Sequence, residues 1–523
     1  METQVLVVGA GPTGLLLTAE LCRRGIDCRL IDAFADTQHW DRATVVHPRS
    51  LEVFESLGIV DRFLDAGVPQ RSARLHSKGE VVAELDFSAS GAPYPYNLGL
   101  SEEMTETFLG DHLHDQGGSV ERGTRLVGLR PEEGSVVATL EHDGARAAVS
   151  AKWVVGCDGY HSVTREQAGI ELQGHDIAES WAVFDVTLDG RSEDFETTLV
   201  YLEETMVILT PLPGRRFRVY TRSSSAETDF IADAAAVIVR YEPDVTLQDV
   251  ENPNRFRCHA KVADRYRAGR VLLAGDAAHV CSPDQGHGMN CGIQDAHNLA
   301  WKLALVCDDD AVADLLDSYG AERRPVALGI AKSGEAMEAM GRFGDAEARA
   351  RRDDELRTTF ADPDVIHSEA VAEAELNIDY KSSPIVTGEA GGPVGAGTRL
   401  PDLGPVQLPG VEARRLHEVT YRPGHTLLAV ARGDGEGRLL SLLDELEEIV
   451  ARSPIFEAAF GLATEPRQPA PIGAIDSHAA DELGVAGLTL LTVRPDRHVG
   501  FRVDRADTTE LARYAELLIR PAS

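Results

Sequence analysis

The stretch that most constrains this chain is its beginning, Gln4–Asp32. Gln4–Gly9 (QVLVVG) is a short valine-rich apolar run closed by glycine, which predicts a strand buried on both faces. Pro12–Arg24 carries Leu15, Leu16, Ala19 and Leu21 at helical spacing, Gly25 stops it, and Cys28–Ile31 is a second apolar strand. Strand, helix and strand within about 30 residues make a βαβ unit. Inside it lies Gly9-Ala10-Gly11-Pro12-Thr13-Gly14. Gly9 permits the tight turn, Gly11 lets a pyrophosphate approach the backbone, and Gly14 lets helix and strand pack closely. Pro12 and Thr13 open the helix, whose N-terminus faces the phosphates. Asp32, ending the second strand, is placed to accept hydrogen bonds from a ribose hydroxyl. The glycines alone are a weak signal that an accidental turn could imitate. Strand, glycines, helix, strand and carboxylate in order indicate dinucleotide binding.

With 523 residues the chain exceeds what one hydrophobic core serves, so two or three domains are expected. An apolar fraction of 43% and a charged fraction of 26% are ordinary for a soluble globular protein. No run approaches the roughly 20 apolar residues that cross a bilayer, and no cleavage signal opens the chain, so a cytoplasmic location is expected. The net charge of −34 repels nucleic acid and anionic lipid, which argues against either as a partner. A polyanionic cofactor must then be met locally by backbone N–H groups and a few arginines. Seven cysteines without CxxC spacing, none beyond Cys307, read as reduced thiols and not as a disulfide framework or zinc site.

Further along, helices are expected over Arg49–Leu57, Thr105–His114, Gly292–Val306 and Leu315–Ser333. Strands are expected over Arg74–Pro95, Gly123–Leu129, Ala138–His142, Trp153–Cys157 and Arg270–Ala274. From about Ile170 to Val262 alternation dominates, at Trp181–Leu188, Thr198–Leu212 and Phe217–Thr221, which predicts a separate sheet. Gly341–Glu375 is acidic and alanine-rich, and Gly388–Gly397 reads as a linker before a small C-terminal domain.

Two later segments choose between nicotinamide and flavin. One is Gly156-Cys157-Asp158-Gly159-Tyr160-His161-Ser162-Val163-Thr164-Arg165, after a buried strand. The other runs from Gly269-Arg270-Val271-Leu272-Leu273-Ala274-Gly275-Asp276-Ala277-Ala278-His279 through Ser282-Pro283-Asp284-Gln285-Gly286-His287-Gly288-Met289-Asn290 to Gln294-Asp295-Ala296-His297-Asn298-Leu299-Ala300-Trp301. With these the chain resembles the FAD-dependent aromatic hydroxylases typified by para-hydroxybenzoate hydroxylase, the group A flavin monooxygenases. It is most similar to the branch with a thioredoxin-like C-terminal domain, which includes phenol hydroxylase and the polyketide-tailoring hydroxylases. The segment Leu488–Val493 and Arg494-Pro495-Asp496-Arg497-His498-Val499-Gly500-Phe501-Arg502-Val503 is similar to the signature closing that domain.

The resemblance implies an α/β fold. A Rossmann-type FAD-binding domain of the GR2 kind would be formed by 1–169 and 263–390. A mixed β-sheet substrate domain would be inserted at 170–262, and a thioredoxin-like domain would occupy 395–523, without redox activity for want of cysteines. It implies non-covalent FAD held by Gly9, Gly11, Pro12, Thr13, Gly14, Asp32, Arg42, Leu126, Asp158, Gly275, Asp276, Gly288, Met289 and Asn290. Arg42 would meet the phosphates or flavin. Asp276 would meet the ribitol and pyrophosphate, and the Gly286–Asn290 backbone, opening a helix at Gly292, the flavin pyrimidine edge. The Asp158–Gly159 turn, completed by Arg165, would serve both FAD and NAD(P)H, with NADPH favoured and bound briefly in a surface groove. Pro283 and Gly286 would border the place where the flavin, at C4a, activates dioxygen as a hydroperoxide for attack on a phenolic or polycyclic ring. A small aromatic substrate and O2 are the implied partners, with homodimer formation open. Natural-product tailoring or aromatic catabolism is the implied setting.

Three departures from the family pattern stand out. Gln285 replaces a loop glycine, Glu102 occupies the place of a flavin-facing glutamine, and Asp32 replaces the commoner glutamate. His279 and His287 are candidate bases beside the flavin, and Tyr201 and Thr210 candidate pocket residues, against ordinary structural or packing roles for each. Rival readings are Baeyer–Villiger insertion or oxidative rearrangement or decarboxylation of a polycyclic on the same scaffold, an FAD-dependent reductase or dehydrogenase that uses no oxygen, and a non-hydroxylating flavin-holding protein that shelters an unstable intermediate.

Overall fold

The computed structural model describes residues 2–37, 43–191, 195–223, 229–282, 286–340, 345–389, 392–410, 414–466, 471–505 and 507–519. Arg42, Pro283 and Gln285, singled out above, lie outside the described residues. The chain forms two compact units. One comprises Met1–Ala19, Cys28–Ala296 and Val326–Leu376, the other Glu20–Asp27, His297–Pro325 and Asn377–Ser523.

The first unit is built on an eight-stranded sheet. Its parallel centre runs Val271–Leu273, Ala145–Gly156, Glu2–Val8, Cys28–Ile31 and Val120–Glu121. Where the strands run side by side toward their C-terminal ends they are apolar because both faces are covered, and Leu6, Val8, Ile31, Val154 and Val271 belong to one buried cluster. Register decides the next level. Val8 pairs with Ile31 on one side and Gly156 on the other, and Gly156 pairs with Leu273. The C-terminal ends of four strands therefore finish in one row, and the turns at Gly9, Asp32, Asp158 and Gly275 all leave from it. In parallel sheets that row is where ligands bind, because the following helices start there.

A second eight-stranded sheet in the same unit takes His279–Val280, Thr246–Ala263, Leu172–Asp189, Arg216–Ser223, Val207–Leu212 and Thr197–Tyr201, then Ser72–Ser77 and Glu80–Asp86. The alternation expected over 170–262 is present, with two differences. The stretch read as one run, Thr198–Leu212, is two antiparallel strands, Thr197–Tyr201 and Val207–Leu212. Phe230–Tyr241 is a helix within the strand-rich region, capped by the Asp229 side chain accepting from Ala232 N at 3.1 Å. Its Ala234, Val237 and Ile238 repeat at helical spacing and bury onto Phe184, Leu199, Val207 and Val219 of the sheet. The acidic stretch before Glu375 forms two helices, Ala346–Thr359 and Pro363–Glu373, each with an aspartate N-cap.

In the second unit a seven-stranded sheet centres on His425–Ala431. This strand is parallel to Phe456–Ala463 across the helix Glu436–Val450, and antiparallel to Leu488–Val493, which is itself antiparallel to Val499–Val503. The tail signature proves to be a buried charge network. Arg494 makes a two-pronged pair with Glu322 at 2.7 and 2.8 Å and bonds Asp496 at 2.5 Å, while Lys302 Nζ reaches Glu322 at 2.6 Å. All four side chains are buried.

Among the described residues no helix is long and apolar enough to cross a membrane. Among the described residues no cysteine is in a disulfide.

Candidate active site

At the first turn the glycines divide the work as their positions require. A side chain at Gly9 would strike the Cys157 carbonyl, and one at Gly14 would strike the Gly9 carbonyl, so these two residues let strand, helix and neighbouring turn close up. Gly11 faces the other way. An added Cβ there meets only Glu106 Oε1, at 3.8 Å, which leaves the backbone open to an approaching group. Asp32 is held ready by its own turn, its Oδ2 accepting from Ala10 N at 2.7 Å and its Oδ1 from Phe34 N at 2.8 Å.

The three motifs meet through two side chains. Thr13 fills the space beside Gly275 and Gly292. A Cβ added at Gly275, where φ is +60°, would lie 2.6 Å from Thr13 Oγ1, and one at Gly292 would collide with the same atom. Arg165 joins the other pair of turns, donating to Ala277 O at 2.9 Å and to Tyr160 O at 2.6 Å. Burial lowers the Arg165 pKa, a cost opposed chiefly by the Asp158 carboxylate. Asp158 itself accepts from Ser162 Oγ at 2.5 Å and from Thr164 N and Oγ1, each at 2.9 Å. Its carboxylate shapes the turn that carries Gly159.

Asp276 is exposed on the turn that opens at Gly275. Gly275 N donates to the buried Asp295 Oδ2 at 3.1 Å, and that oxygen lies 2.7 Å from His279 Nε2. Burial disfavours charge on His279, but Cys291 and Asp295 hold its pKa well above the usual histidine value. His279 thus supports the Gly275 turn.

The long helix begins at His287, five residues before the expected Gly292, and runs to Cys307. Asn290 accounts for the difference. Its side chain accepts from His47 N at 2.9 Å and donates to Gly286 O at 2.8 Å and Val45 O at 2.9 Å, which pins the first turn. Gly288 and Met289 stay half-buried in that turn, whereas Asn290 is fully buried with its amide committed to backbone. Leu126 is likewise buried, in the sheet core with Leu6, Val8 and Leu140. Glu102 begins the helix Glu102–Asp115, and its Oε2 accepts from Ala43 N at 3.3 Å.

On the second sheet, Tyr201 lies under the helix Phe230–Tyr241 with its hydroxyl donating to Glu242 at 2.8 Å. Burial and then Glu242 raise its pKa, so it is a packing residue. Thr210 is buried one residue on from Leu209 of that core. The opposite face carries a residue that sequence reasoning passed over. Tyr220 is nearly buried, with its hydroxyl 2.8 Å from Thr44 Oγ1. Thr44 precedes Val45, whose Cβ would be 3.1 Å from a Cβ at Gly286. The alternation of Arg216–Ser223 put Tyr220 opposite Val219, but nothing local announced its contact with a residue 176 positions away.

A family model described as "FAD binding domain" matches residues 2–333. The chain belongs to the FAD binding domain family of flavin monooxygenases. This flavin monooxygenase is 31% identical over 542 residues to 6-methylpretetramide 4-monooxygenase of Streptomyces rimosus, covering 99% of the chain and 94% of the relative. It is 35% identical over 351 residues to pentachlorophenol 4-monooxygenase of Sphingobium chlorophenolicum, covering 64% of each. Its fold matches the ternary complex of aklavinone-11 hydroxylase with FAD and aklavinone at a TM-score of 0.77 and 25% identity, over 99% of both chains. The flavoprotein uses FAD and NAD(P)H, and its homologues include enzymes of natural-product tailoring and aromatic catabolism. The cradle fits the cofactor, with an open backbone at Gly11, a carboxylate at Asp32 held by its own turn and an exposed Asp276 around one row of strand ends.

Proposed function

We propose that this monooxygenase hydroxylates a phenolic or polycyclic aromatic substrate with O2, using NADPH in preference to NADH. The observation that supports the reading is the alignment of Val8, Ile31, Gly156 and Leu273 at one edge of the parallel sheet, which brings the turns of three motifs to one row of strand ends, where a single dinucleotide would lie. In this reading Gly9, Gly11, Pro12, Thr13 and Gly14 receive the pyrophosphate, and Asp32 the adenosine ribose. Asp158 shapes its turn, and Gly275 and Asp276 face the ribitol. The N–H groups of Gly288 and Met289 face the flavin pyrimidine edge, where a helix N-terminus stabilises negative charge. Asn290 and Leu126 act at one remove, by fixing helix and sheet.

When bound, FAD supplies the activation of dioxygen, and the protein excludes water and positions the ring. In this reading Gly286 borders that position, and the Tyr220–Thr44 hydroxyl pair fixes the loop beside it. A groove of about 480 Å³ lined by Tyr160, His161, Arg165 and Lys261 adjoins the Asp158 turn. Its cations suit the phosphates of NADPH in a chain of net charge −34. The strand order of the second unit, Val499–Val503, Leu488–Val493, His425–Ala431 and Phe456–Ala463, with Leu488–Val493 antiparallel to its neighbours, supports a thioredoxin-like fold for 395–523. Cysteines that form no disulfide among the described residues support a cytoplasmic location.

The deciding experiment is NADPH oxidation in the presence of a panel of phenols and polycyclic aromatics under labelled dioxygen. A product heavier by one labelled oxygen atom, formed only with an effector that also speeds flavin bleaching, is the expected outcome. Turnover that proceeds equally without oxygen rejects it.

A further inference from the structure

Three segments of the first unit converge on a cluster that the flavin chemistry does not use. His47 precedes the helix Pro48–Ser56, His287 begins the helix His287–Cys307, and Glu375 follows the helix Pro363–Glu373. Glu375 Oε1 lies 2.7 Å from His287 Nδ1 and 3.4 Å from His47 Nδ1. One donor atom from each residue lies within 4.8 Å of the other two, and all three residues are buried.

His47 is the telling member. It has no exposed surface, and among the described residues neither ring nitrogen makes a hydrogen bond. Among those residues its nitrogens have only the long approaches of Glu375 Oε1 at 3.4 Å and Glu373 Oε1 at 3.8 Å, and a buried imidazole so poorly bonded is destabilising unless something fills the gap. Around it the carboxylates are already oriented. Gln294 Nε2 donates to the second oxygen of Glu375, and Asn97 Nδ2 donates to Glu373 Oε1 at 3.1 Å, an oxygen 3.8 Å from His47 Nε2. Glu375 adopts φ +58°, a left-handed conformation that costs a residue with a side chain and persists where the surroundings enforce it.

We propose that His47, His287 and Glu375 bind a divalent first-row transition metal of the zinc or iron(II) class, with Gln294 orienting Glu375. Two imidazoles and one carboxylate select such an ion over calcium or magnesium, which take oxygen ligands, and over copper(I), which prefers thiolate and thioether. Binding requires the His287 ring nitrogen that faces Glu375 to be unprotonated. The ion ties the starts of two helices to the end of a third beside the Gly286–Asn290 loop.

The test uses untagged, flavin-loaded protein, stripped with a chelator and equilibrated with zinc. Metal by mass spectrometry and flavin by absorbance are read from the same sample. Wild type should retain close to one zinc per chain through gel filtration, and the double variant H47N/H287N should retain none. Gln294→Ala should weaken zinc affinity about 10- to 100-fold, the usual effect of removing a ligand's hydrogen-bond support. X-ray absorption at the zinc edge of the unmodified protein should show imidazole scattering with neighbours at about 2.0–2.2 Å, a readout independent of any variant's folding. Zinc binding no tighter in wild type than in H47N/H287N, or an edge spectrum without imidazole, overturns the site. A yellow protein without zinc affinity rejects only this proposal, and a colourless one that binds zinc rejects only the flavin reading.

Discussion

Thr13 and Gly275 are in contact across the sheet edge: a methyl group added to Gly275 would lie 2.6 Å from Thr13 Oγ1. The same threonine oxygen blocks a side chain at Gly292, so one residue of the first motif sets how closely the third can approach. Chain positions more than 260 apart are thereby joined by one side chain.

That contact makes a paired prediction. Gly292→Ala should destabilise the protein by about 1–3 kcal/mol, the usual cost of overpacking a filled site. Combining it with Thr13→Ala should recover most of that loss, because the space returns. Urea unfolding of the two single variants and the double variant measures the coupling. Simple additivity would show that Thr13 and Gly292 do not share the space described.

Flavin retention should depend on the open backbone at Gly11 and the exposed carboxylate of Asp276. Gly11→Val closes the one face of the turn on which the protein leaves room. Asp276→Ala removes charge-assisted hydrogen bonds, each worth about 1.5–3 kcal/mol or roughly 10- to 100-fold in affinity. Both variants should purify largely as apoprotein, with circular dichroism unchanged. The ratio of flavin to protein absorbance measures this, and a full complement of FAD in either variant would contradict the assigned cradle.

Lys261 tests the groove beside the Asp158 turn. Its ammonium pairs with Asp176 and lies 3.3 Å from the Tyr160 hydroxyl, on the rim of the groove. Lys261→Ala should raise KM for NADPH about tenfold, the low end for losing a charge-assisted contact, with kcat little changed. Steady-state kinetics at saturating substrate checks it. An unchanged KM would place the dinucleotide elsewhere.

Glu322 governs acid stability. Burial pushes its pKa up, but Arg494 first and Lys302 next bring it down to about 2 from a usual 4.5. A carboxylate depressed on folding contributes stability that is complete above the unfolded value and is lost as pH falls through the folded one. Stability should therefore decline between about pH 4.5 and 2, and Glu322→Gln should flatten that part of the profile. The same substitution should cost about 3–5 kcal/mol at neutral pH, because it leaves the buried Lys302 without its anion and Arg494 with Asp496 alone. Urea unfolding as a function of pH measures both effects. An equally steep acid limb in the variant would assign the titration to another group.

Much of this architecture can be read along the chain because its signals are local. The valine-rich strand, the three glycines and Asp32 sit within a few helical turns of one another, and each obeys a backbone constraint that its neighbours set. The helix Phe230–Tyr241 escaped notice because its short apolar stripe lies inside a region where alternation of period two dominates. The start of the long helix was misplaced because Asn290, which pins the first turn, bonds to Val45 and His47, more than 240 residues earlier.

By itself, the order of residues determined the glycine turns and the succession of α/β elements, since these are specified by nearest neighbours, while the chemistry came from the family that the three motifs resemble. Tertiary structure alone decided which partners Asp158, Asn290, Tyr201 and Tyr220 bond, and whether His47, His287 and Glu375 meet. Those outcomes depend on strand register and on which face of an element is covered. Contacts between residues hundreds of positions apart leave no trace in either one's immediate surroundings.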